Sequence, residues 1–241
     1  MHRLHLNTHH GTPGLIVLPE GGYRRAKAEI TSWPGYAPTP LHRLDLPGVA
    51  GVWWKDESAR FGLRSFKALG GAYAVCKLLG AGAALESGQY AHATDQITVT
   101  CATDGNHGRS VAWGAQRFGC RCVIFVHENV SQGRRDAITA FGAEVREVPG
   151  TYDDSVRAAQ HAADENGWFV VSDTSYPGYT EPPRDVMQGY RLMAEEALSQ
   201  MDAPPTHVFV PGGVGGVAAA VSVQLRHAAP AAKLIVAEPE A

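Results

Sequence analysis

Lys67, in the run Ser65-Phe66-Lys67, is the side chain of this sequence best suited to covalent chemistry. Ser65 can cap a helix over about Phe66–Leu79, with Phe66, Leu69 and Tyr73 on one apolar face, and Lys67 then falls in its first turn. The partly positive N-terminus of a helix disfavours an ammonium there, and an amine held near neutrality attacks carbonyl carbon. A first-turn lysine reads equally well as a solvated surface charge, so this motif needs others beside it.

Two more motifs lie where a strand gives way to a helix, the edge at which open α/β sheets bind ligands. The first is Thr103-Asp104-Gly105-Asn106-His107-Gly108. Its glycines allow close backbone approach, Asn106 offers a donor and an acceptor to a planar ligand, and Asp104 is a candidate acid or base. The plain alternative is an Asp/Asn capping turn, with His107 packing the loop. The second is Pro211-Gly212-Gly213-Val214-Gly215-Gly216-Val217. Successive amides at a helix start cradle phosphate, and so many glycines in a purely structural turn would cost chain entropy for nothing. A competing reading exists. Gly213-x-Gly215-x-x-Ala218, with Glu238 further on, fits the dinucleotide fingerprint of a nicotinamide-dependent oxidoreductase. It leaves Lys67 and the Asp104–Gly108 turn without a role.

The elements that must position these residues alternate. Strands are expected over Gln96–Ala102, Cys120–Val126, Ala143–Val148, Trp168–Ser172, Thr206–Val210 and Lys233–Ala237. Helices are expected over His107–Phe118 with Gly119 as stop, Ser131–Phe141 capped by Ser131, Asp153–Asn166 capped by Asp153, Arg184–Gln200 and Val217–His227. Ala81–Ala93 reads as a connector. The first sixty residues are rich in Pro and Gly and weakly periodic. Gly35–Leu41 reads as extended chain, Val52–Glu57 as a short strand and Arg60–Arg64 as a loop. Such alternation means an α/β fold with parallel sheets covered by helices, here two open twisted-sheet domains. Residues 81–172 form a smaller domain inserted into a larger one made of 1–80 and 173–241, with the ligand in the cleft between them. The chain stops directly after a strand, so later strands of that sheet are expected to be missing.

Composition narrows the classes. The 241 residues are 44% hydrophobic and 19% charged, with net charge −3, which is ordinary globular material with no electrostatic reason for a nucleic-acid or membrane partner. No apolar run reaches bilayer length and the start lacks a signal core, so a cytoplasmic protein is expected. Cys76, Cys101, Cys120 and Cys122 have neither disulfide-scaffold nor zinc spacing and are expected to be free thiols. The eleven histidines show no ligand spacing, so no metal site is expected.

Taken together, the three motifs resemble the fold-type II, tryptophan-synthase-β-like enzymes that use pyridoxal 5'-phosphate (PLP), whose pattern is S-x-K, then S-x-G-N-H, then a Gly-rich loop. Asp104 stands where most of these carry Ser. The stretches Arg60–Tyr73, Cys101–Arg109, Asp173–Tyr179 and Met187-Gln188-Gly189-Tyr190 are instead similar to the diaminopropionate ammonia-lyases, from roughly Pro38 to the end. The resemblance implies α,β-elimination of 2,3-diaminopropionate, of either hand, to pyruvate and ammonia. It implies that Lys67 carries the PLP and then acts as base, while Asp104 works on the other face of the α-carbon. Asp104 and Asp173 would recognise the substrate's second ammonium group, which a Ser at 104 could not; strand-end capping is the alternative for Asp173. Asn106 would contact the pyridine ring's oxygen, and Gly212, Gly213, Val214, Gly215 and Gly216 the phosphate. A small amino-acid substrate and a homodimer follow. Family members continue well past this point, through the partner of the pyridine nitrogen, so a fragment or truncated product is expected. A serine/threonine dehydratase-like lyase and a non-catalytic remnant are the alternatives.

Overall fold

The computed structural model describes residues 4–7, 16–80 and 91–238. Most of the expected connector, residues 81–90, lies outside them. A four-stranded parallel sheet, order β5-β4-β3-β6, is built from β3 (Thr98–Ala102), β4 (Arg121–His127), β5 (Glu144–Val148) and β6 (Phe169–Val170). The last is shorter than the expected Trp168–Ser172, because only Phe169 and Val170 find partners, on Val99 and Thr100 of β3. A second parallel pair joins β7 (His207–Pro211) to β8 (Lys233–Ala237). Ahead of both, β1 (Leu41–Leu44) and β2 (Val52–Lys55) form an antiparallel pair.

β4 is the continuous apolar strand that a sheet covered on both faces demands. Its side chains alternate: Cys122, Ile124 and Val126 join the main core, whereas Val123 and Phe125 pack with Ala159 and Ala162 of helix α5 (Tyr152–Asn166). The main core holds α1 (Glu20–Ser32), α2 (Lys67–Leu79), α3 (Asn106–Phe118) and α6 (Glu181–Ser199) together. Two further helices are α4 (Gln132–Thr139) and α7 (Gly216–Ala228), beside a 3-10 helix at Glu57–Gly62 and a single helical turn at Ala91–Thr94.

Helix α2 sits in the middle, and small residues let its neighbours approach. An added Cβ on Gly71 would lie 2.6 Å from Ser110 Oγ, one on Gly114 2.8 Å from Ala72 Cα, and one on Gly189 2.1 Å from the carbonyl oxygen of Leu69. Glycine at 71 and 114 therefore sets the α2–α3 distance, and glycine at 189 the α2–α6 distance.

Local details differ from expectation for identifiable reasons. α1 falls in the stretch read as non-periodic; it buries Tyr23, Ala26 and Ile30 at helical spacing but carries no side-chain cap. Ser65 does not cap α2; Phe66 occupies that position, and Ser65 Oγ instead accepts from the Lys67 amide at 3.2 Å. Ser131 occupies its N-cap without a side-chain bond, and the third cap moves from Asp153 to Thr151, which forms a capping box with Asp154. Among the described residues no helix is long and apolar enough to cross a membrane, and no group of three or more His, Cys, Asp or Glu could hold a metal. None of the four cysteines is in a disulfide; burial pushes the Cys120 thiol up to about 12.

Candidate functional site

Lys67 is the first residue of α2, and its backbone is held from outside the helix. Ser110 Oγ donates to the Lys67 carbonyl at 2.7 Å and accepts from the Ala72 amide at 3.1 Å. The chain enters the helix through Phe61 (φ 46°) and Arg64 (φ 57°), two left-handed residues that are not glycine. Such strain persists only where surroundings impose it. Here Arg60, 1% exposed, is clamped by Glu196 at 2.6 Å and Glu57 at 2.8 Å, and Lys55 closes on Glu196 at 2.9 Å.

The Lys67 side chain runs to Asp173, with Nζ 2.5 Å from Oδ2. Burial would raise the Asp173 carboxyl, but the positive charges of His107 and Lys67 and the hydrogen bond from Lys67 outweigh it and hold the group below the usual aspartate value. The expected influence on the amine was the helix N-terminus; the structure adds a carboxylate that makes Lys67 half of an ion pair. Tyr190 and Phe66 wall the amine, their ring centroids 5.5 and 5.6 Å from Nζ.

Beneath this pair, His107 Nε2 donates to the Val171 carbonyl at 2.8 Å and Nδ1 faces Asp173 Oδ2 at 3.8 Å. Tyr179 pins the same segment: its hydroxyl accepts from the Ser172 amide at 2.8 Å and donates to the Val170 carbonyl at 2.9 Å. Sequence reasoning left His107 open and missed Tyr179 and Tyr190. Only the aromatic cluster of Tyr176, Tyr179 and Tyr190 around Asp173 could have pointed to them.

The glycine turn reaches the same place. It leads from β7 into α7 with Gly215, φ 86°, as N-cap. A Cβ on Gly216 would lie 3.5 Å from Met187 Cγ, 3.8 Å from the Asp173 carbonyl oxygen and 4.0 Å from the Tyr190 ring, so this end of the turn abuts the Lys67–Asp173 wall. Gly212 is closed over by Glu238, whose Cγ a Cβ there would meet at 2.4 Å; Gly213 and Gly215 are open. Val214 is 52% exposed. The first-turn amides of α7 have no intrahelical acceptor and point out of the turn, as an anion cradle needs.

Asp104 and Asn106 sit apart from the lysine. Asn106 opens α3 on the exposed side of its turn, which Thr103 Oγ1 braces by accepting from the Gly105 and Gly108 amides at 3.0 and 3.1 Å. Asp104, with its side chain 60% exposed, bonds His127 Nε2 at 3.0 Å. Tyr152, which the motifs did not include, carries a half-buried phenol that burial first, then Asp173, Cys101 and Asp104, push up to about 12. The structure thus joins Lys67, Asp173 and the Gly216 end of the turn, and leaves Asp104 and Asn106 on the rim.

This arrangement fits an aldehyde-bearing phosphate cofactor: an amine beside a glycine cradle, with two buried polar atoms, His107 Nδ1 and Tyr190 OH, lacking partners. Two hollows of about 290 and 320 Å³ lie elsewhere, one at the strands' N-terminal ends beside Thr98 and Arg121, one beside Tyr176 and Tyr179. Neither includes Lys67. The former is at the wrong sheet edge for a ligand.

A family model described as pyridoxal-phosphate dependent enzyme matches residues 32–241. Diaminopropionate ammonia-lyase of Escherichia coli (strain K12) is 46% identical over 200 residues, 78% of this chain and 50% of that protein. The biosynthetic L-threonine dehydratase of the same strain is 32% identical over 232 residues, 94% of this chain and 41% of that protein. The crystal structure of selenomethionine-labelled holo diaminopropionate ammonia lyase from Escherichia coli superposes with TM-score 0.84 at 38% identity, covering 94% of this chain and 62% of that one. The chain therefore spans about half the length of the curated relatives it matches.

Proposed function

Since the chain belongs to the pyridoxal-phosphate-dependent enzyme family, we propose that it serves the PLP-dependent α,β-elimination of 2,3-diaminopropionate to pyruvate and ammonia. The observation that carries this reading is the Lys67–Asp173 pair, 2.5 Å apart, against the Gly216 end of the glycine turn. When bound, the cofactor supplies an electron sink for the carbanion left at the α-carbon. Lys67 would hold it covalently through Nζ and, as a free amine, would carry the α-proton on its own face. The open amides around Gly213, Val214, Gly215 and Gly216, with Gly212 at the start of the turn, bind the phosphate, and Asn106 orients the ring from the rim. His107 and Tyr179 keep Asp173 in place.

Substrate choice follows from charge. Asp173 already has an ammonium for a partner, and its side chain is only 9% exposed. When Lys67 leaves it for covalent work, a carboxylate in that setting demands another cation, and the second ammonium of a diamino acid supplies one. A serine or threonine hydroxyl leaves the charge uncompensated, so those substrates are rejected. Asp104 brings a second carboxylate to the other face as proton acceptor. The nicotinamide reading of the Gly213 turn gives no account of Lys67 or Asp173 and does not match the family. A smaller domain of residues 81–172 inserted into a larger one made of 1–80 and 173–241, a homodimer and a cytoplasmic setting complete the proposal.

Purified protein supplied with PLP is expected to show visible absorbance that borohydride bleaches, leaving the label on Lys67. Pyruvate should appear from diaminopropionate and not from serine or threonine. A Lys67→Ala variant that keeps full turnover, or a colourless protein that binds NAD, overturns the reading.

A further inference from the structure

His127 belongs to none of the motifs, yet it is the imidazole that touches Asp104. It ends β4, paired there with Val148 of β5, so its backbone is fixed by the sheet. Its side chain is 19% exposed, and each ring nitrogen has one neighbour. Nδ1 lies 3.3 Å from the Asn129 amide, and Nε2 lies 3.0 Å from Asp104 Oδ1. An amide nitrogen can only donate, so Nδ1 accepts and carries a lone pair. In the neutral ring the proton then sits on Nε2 and is donated to Asp104. The partners, not chance, select this tautomer. The backbone of Asp104 is restrained as well: Arg134 Nη1 donates to its carbonyl at 3.2 Å, and Thr103 Oγ1 braces the two amides of the turn that follows. One carboxylate oxygen is thereby tied down while most of the side chain stays open to solvent.

We infer that His127 is a positioning residue, which aims Asp104 at the substrate's α-hydrogen and so governs the use of one enantiomer only. The inference rests on the function proposed above, in which Lys67 serves one face of the substrate and Asp104 the other. The α-hydrogens of the two enantiomers point to opposite faces, so each carboxylate or amine has its own substrate hand. On the Asp104 face the carboxylate takes the α-proton, the C–H pair becomes the Cα–Cβ double bond, and the Cβ–N bond breaks with its electrons to release ammonia. A carboxylate free to rotate spreads over many orientations; one hydrogen-bonded through Oδ1 is held to few, which is what proton abstraction from a fixed hydrogen requires.

The test uses the PLP-loaded protein, each enantiomer of diaminopropionate separately, and His127→Leu and His127→Gln. Leucine removes the donor; glutamine restores an N–H at similar reach. Expected is a kcat loss on the order of tenfold to a hundredfold for one enantiomer in His127→Leu. KM, and the kcat of the other enantiomer, should stay within about twofold. His127→Gln should recover most of the loss, and Asp104→Asn should impair the same enantiomer. Equal losses on both enantiomers, no loss, or loss on the enantiomer that Asp104→Asn spares overturns the inference. An independent readout needs no turnover: imidazole ¹⁵N resonances of the PLP-free protein should show His127 as the Nε2–H tautomer and should move in Asp104→Ala. An Nδ1–H tautomer, or no response, also overturns it. If the unmodified protein releases pyruvate from neither enantiomer, the proposed function falls, and the nitrogen spectrum still decides the pairing.

Discussion

Replacing Gly189 by alanine pits helix propensity against packing at the contact that carries Lys67. Gly189 lies inside α6, where alanine is favoured over glycine by about 1 kcal/mol. Against that, the new Cβ would stand 2.1 Å from the Leu69 carbonyl oxygen, 2.8 Å from its carbon and 3.1 Å from Gly70 Cα. All three are backbone atoms of α2, so no side chain can swing away. Carbon and oxygen settle at about 3.3 Å or more, so the helices must part by roughly 1 Å. A gap of that size forfeits about a quarter to a half of the dispersion energy across the interface. Overpacking in a filled core costs about 1–3 kcal/mol, and a backbone clash belongs at the top of that range. Packing wins, with a net loss of about 2 kcal/mol. For a chain of this length that lowers the melting temperature by roughly 4–8 °C.

Gly133→Ala is the matched control. It is helical and exposed, and a Cβ there meets nothing within 4 Å. Propensity acts alone, and stability should rise by up to about 1 kcal/mol. Calorimetry or urea unfolding of the three proteins reads both signs. Gly189→Ala melting at or above the parent, with Gly133→Ala raised as expected, would refute the claim that glycine here sets the α2–α6 distance.

Arg60→Met strands the buried carboxylates of Glu196 and Glu57 and should cost about 3–5 kcal/mol in urea unfolding; a loss below about 1 kcal/mol would mean that water already screens the cluster. Tyr179→Phe removes the acceptor of the Ser172 amide and the donor to the Val170 carbonyl, and should lower stability by about 1–2 kcal/mol while loosening the segment that bears Asp173; unchanged urea midpoints and unchanged amide exchange at Ser172 would show that the latch carries no load. Acid should destabilise. For both Glu196 and Asp173 burial raises the carboxyl, but Arg60 and Lys55 around the former, and His107 and Lys67 around the latter, outweigh it and leave folded values below 4.5 and 3.8. Their contributions are therefore fully present above those values and lost as pH falls through the lower folded ones; Asp185, which burial holds high, acts in the opposite direction. Urea midpoints flat from pH 7 to about 5 and falling below that agree; a midpoint that climbs on acidification does not.

The alternation from β3 to β6 was legible because the three helices there are followed closely by left-handed glycines, Gly119 at φ 77°, Gly142 at 81° and Gly167 at 68°, where a side chain is strained. Helix α1 was not, since Tyr23, Ala26 and Ile30 form a narrow stripe among charges and two glycines, and its stability comes from docking on α6, where Tyr23 bonds Glu195 and Glu20 bonds Arg191. Thr151 was passed over for Asp153 because Thr151, Asp153 and Asp154 can all cap, and only the reciprocal Thr151–Asp154 bonds decide among them. In the site, types and spacing brought out Lys67 and the two Gly-rich turns, each of which is local. The pairing of Lys67 with Asp173, 106 residues away, is a product of the sheet order and of how closely α2 and α6 approach. Asp104 shows the converse: its type was legible, but its bond to His127, 23 residues away at the end of β4, was not.

Lys67 is placed almost wholly by contacts distant in sequence. α2 has no side-chain cap and no acidic residue in its first turn, and the local restraint on where the helix begins is the Ser65 Oγ bond to the Lys67 amide. The distant restraints are Ser110 on the Lys67 carbonyl, the glycine contacts at 71, 114 and 189, and the left-handed entry through Phe61 and Arg64 held by the Arg60 cluster. Each restraint comes from a different element. A perturbation at any of them should therefore shift the amine relative to Asp173, and the remote Arg60→Met should move the cofactor's visible absorbance as surely as a change at Tyr190, whose ring walls the amine. An unmoved spectrum in an otherwise folded, destabilised Arg60→Met protein would mean that Ser110 and the glycines suffice, and that the strained entry serves stability alone.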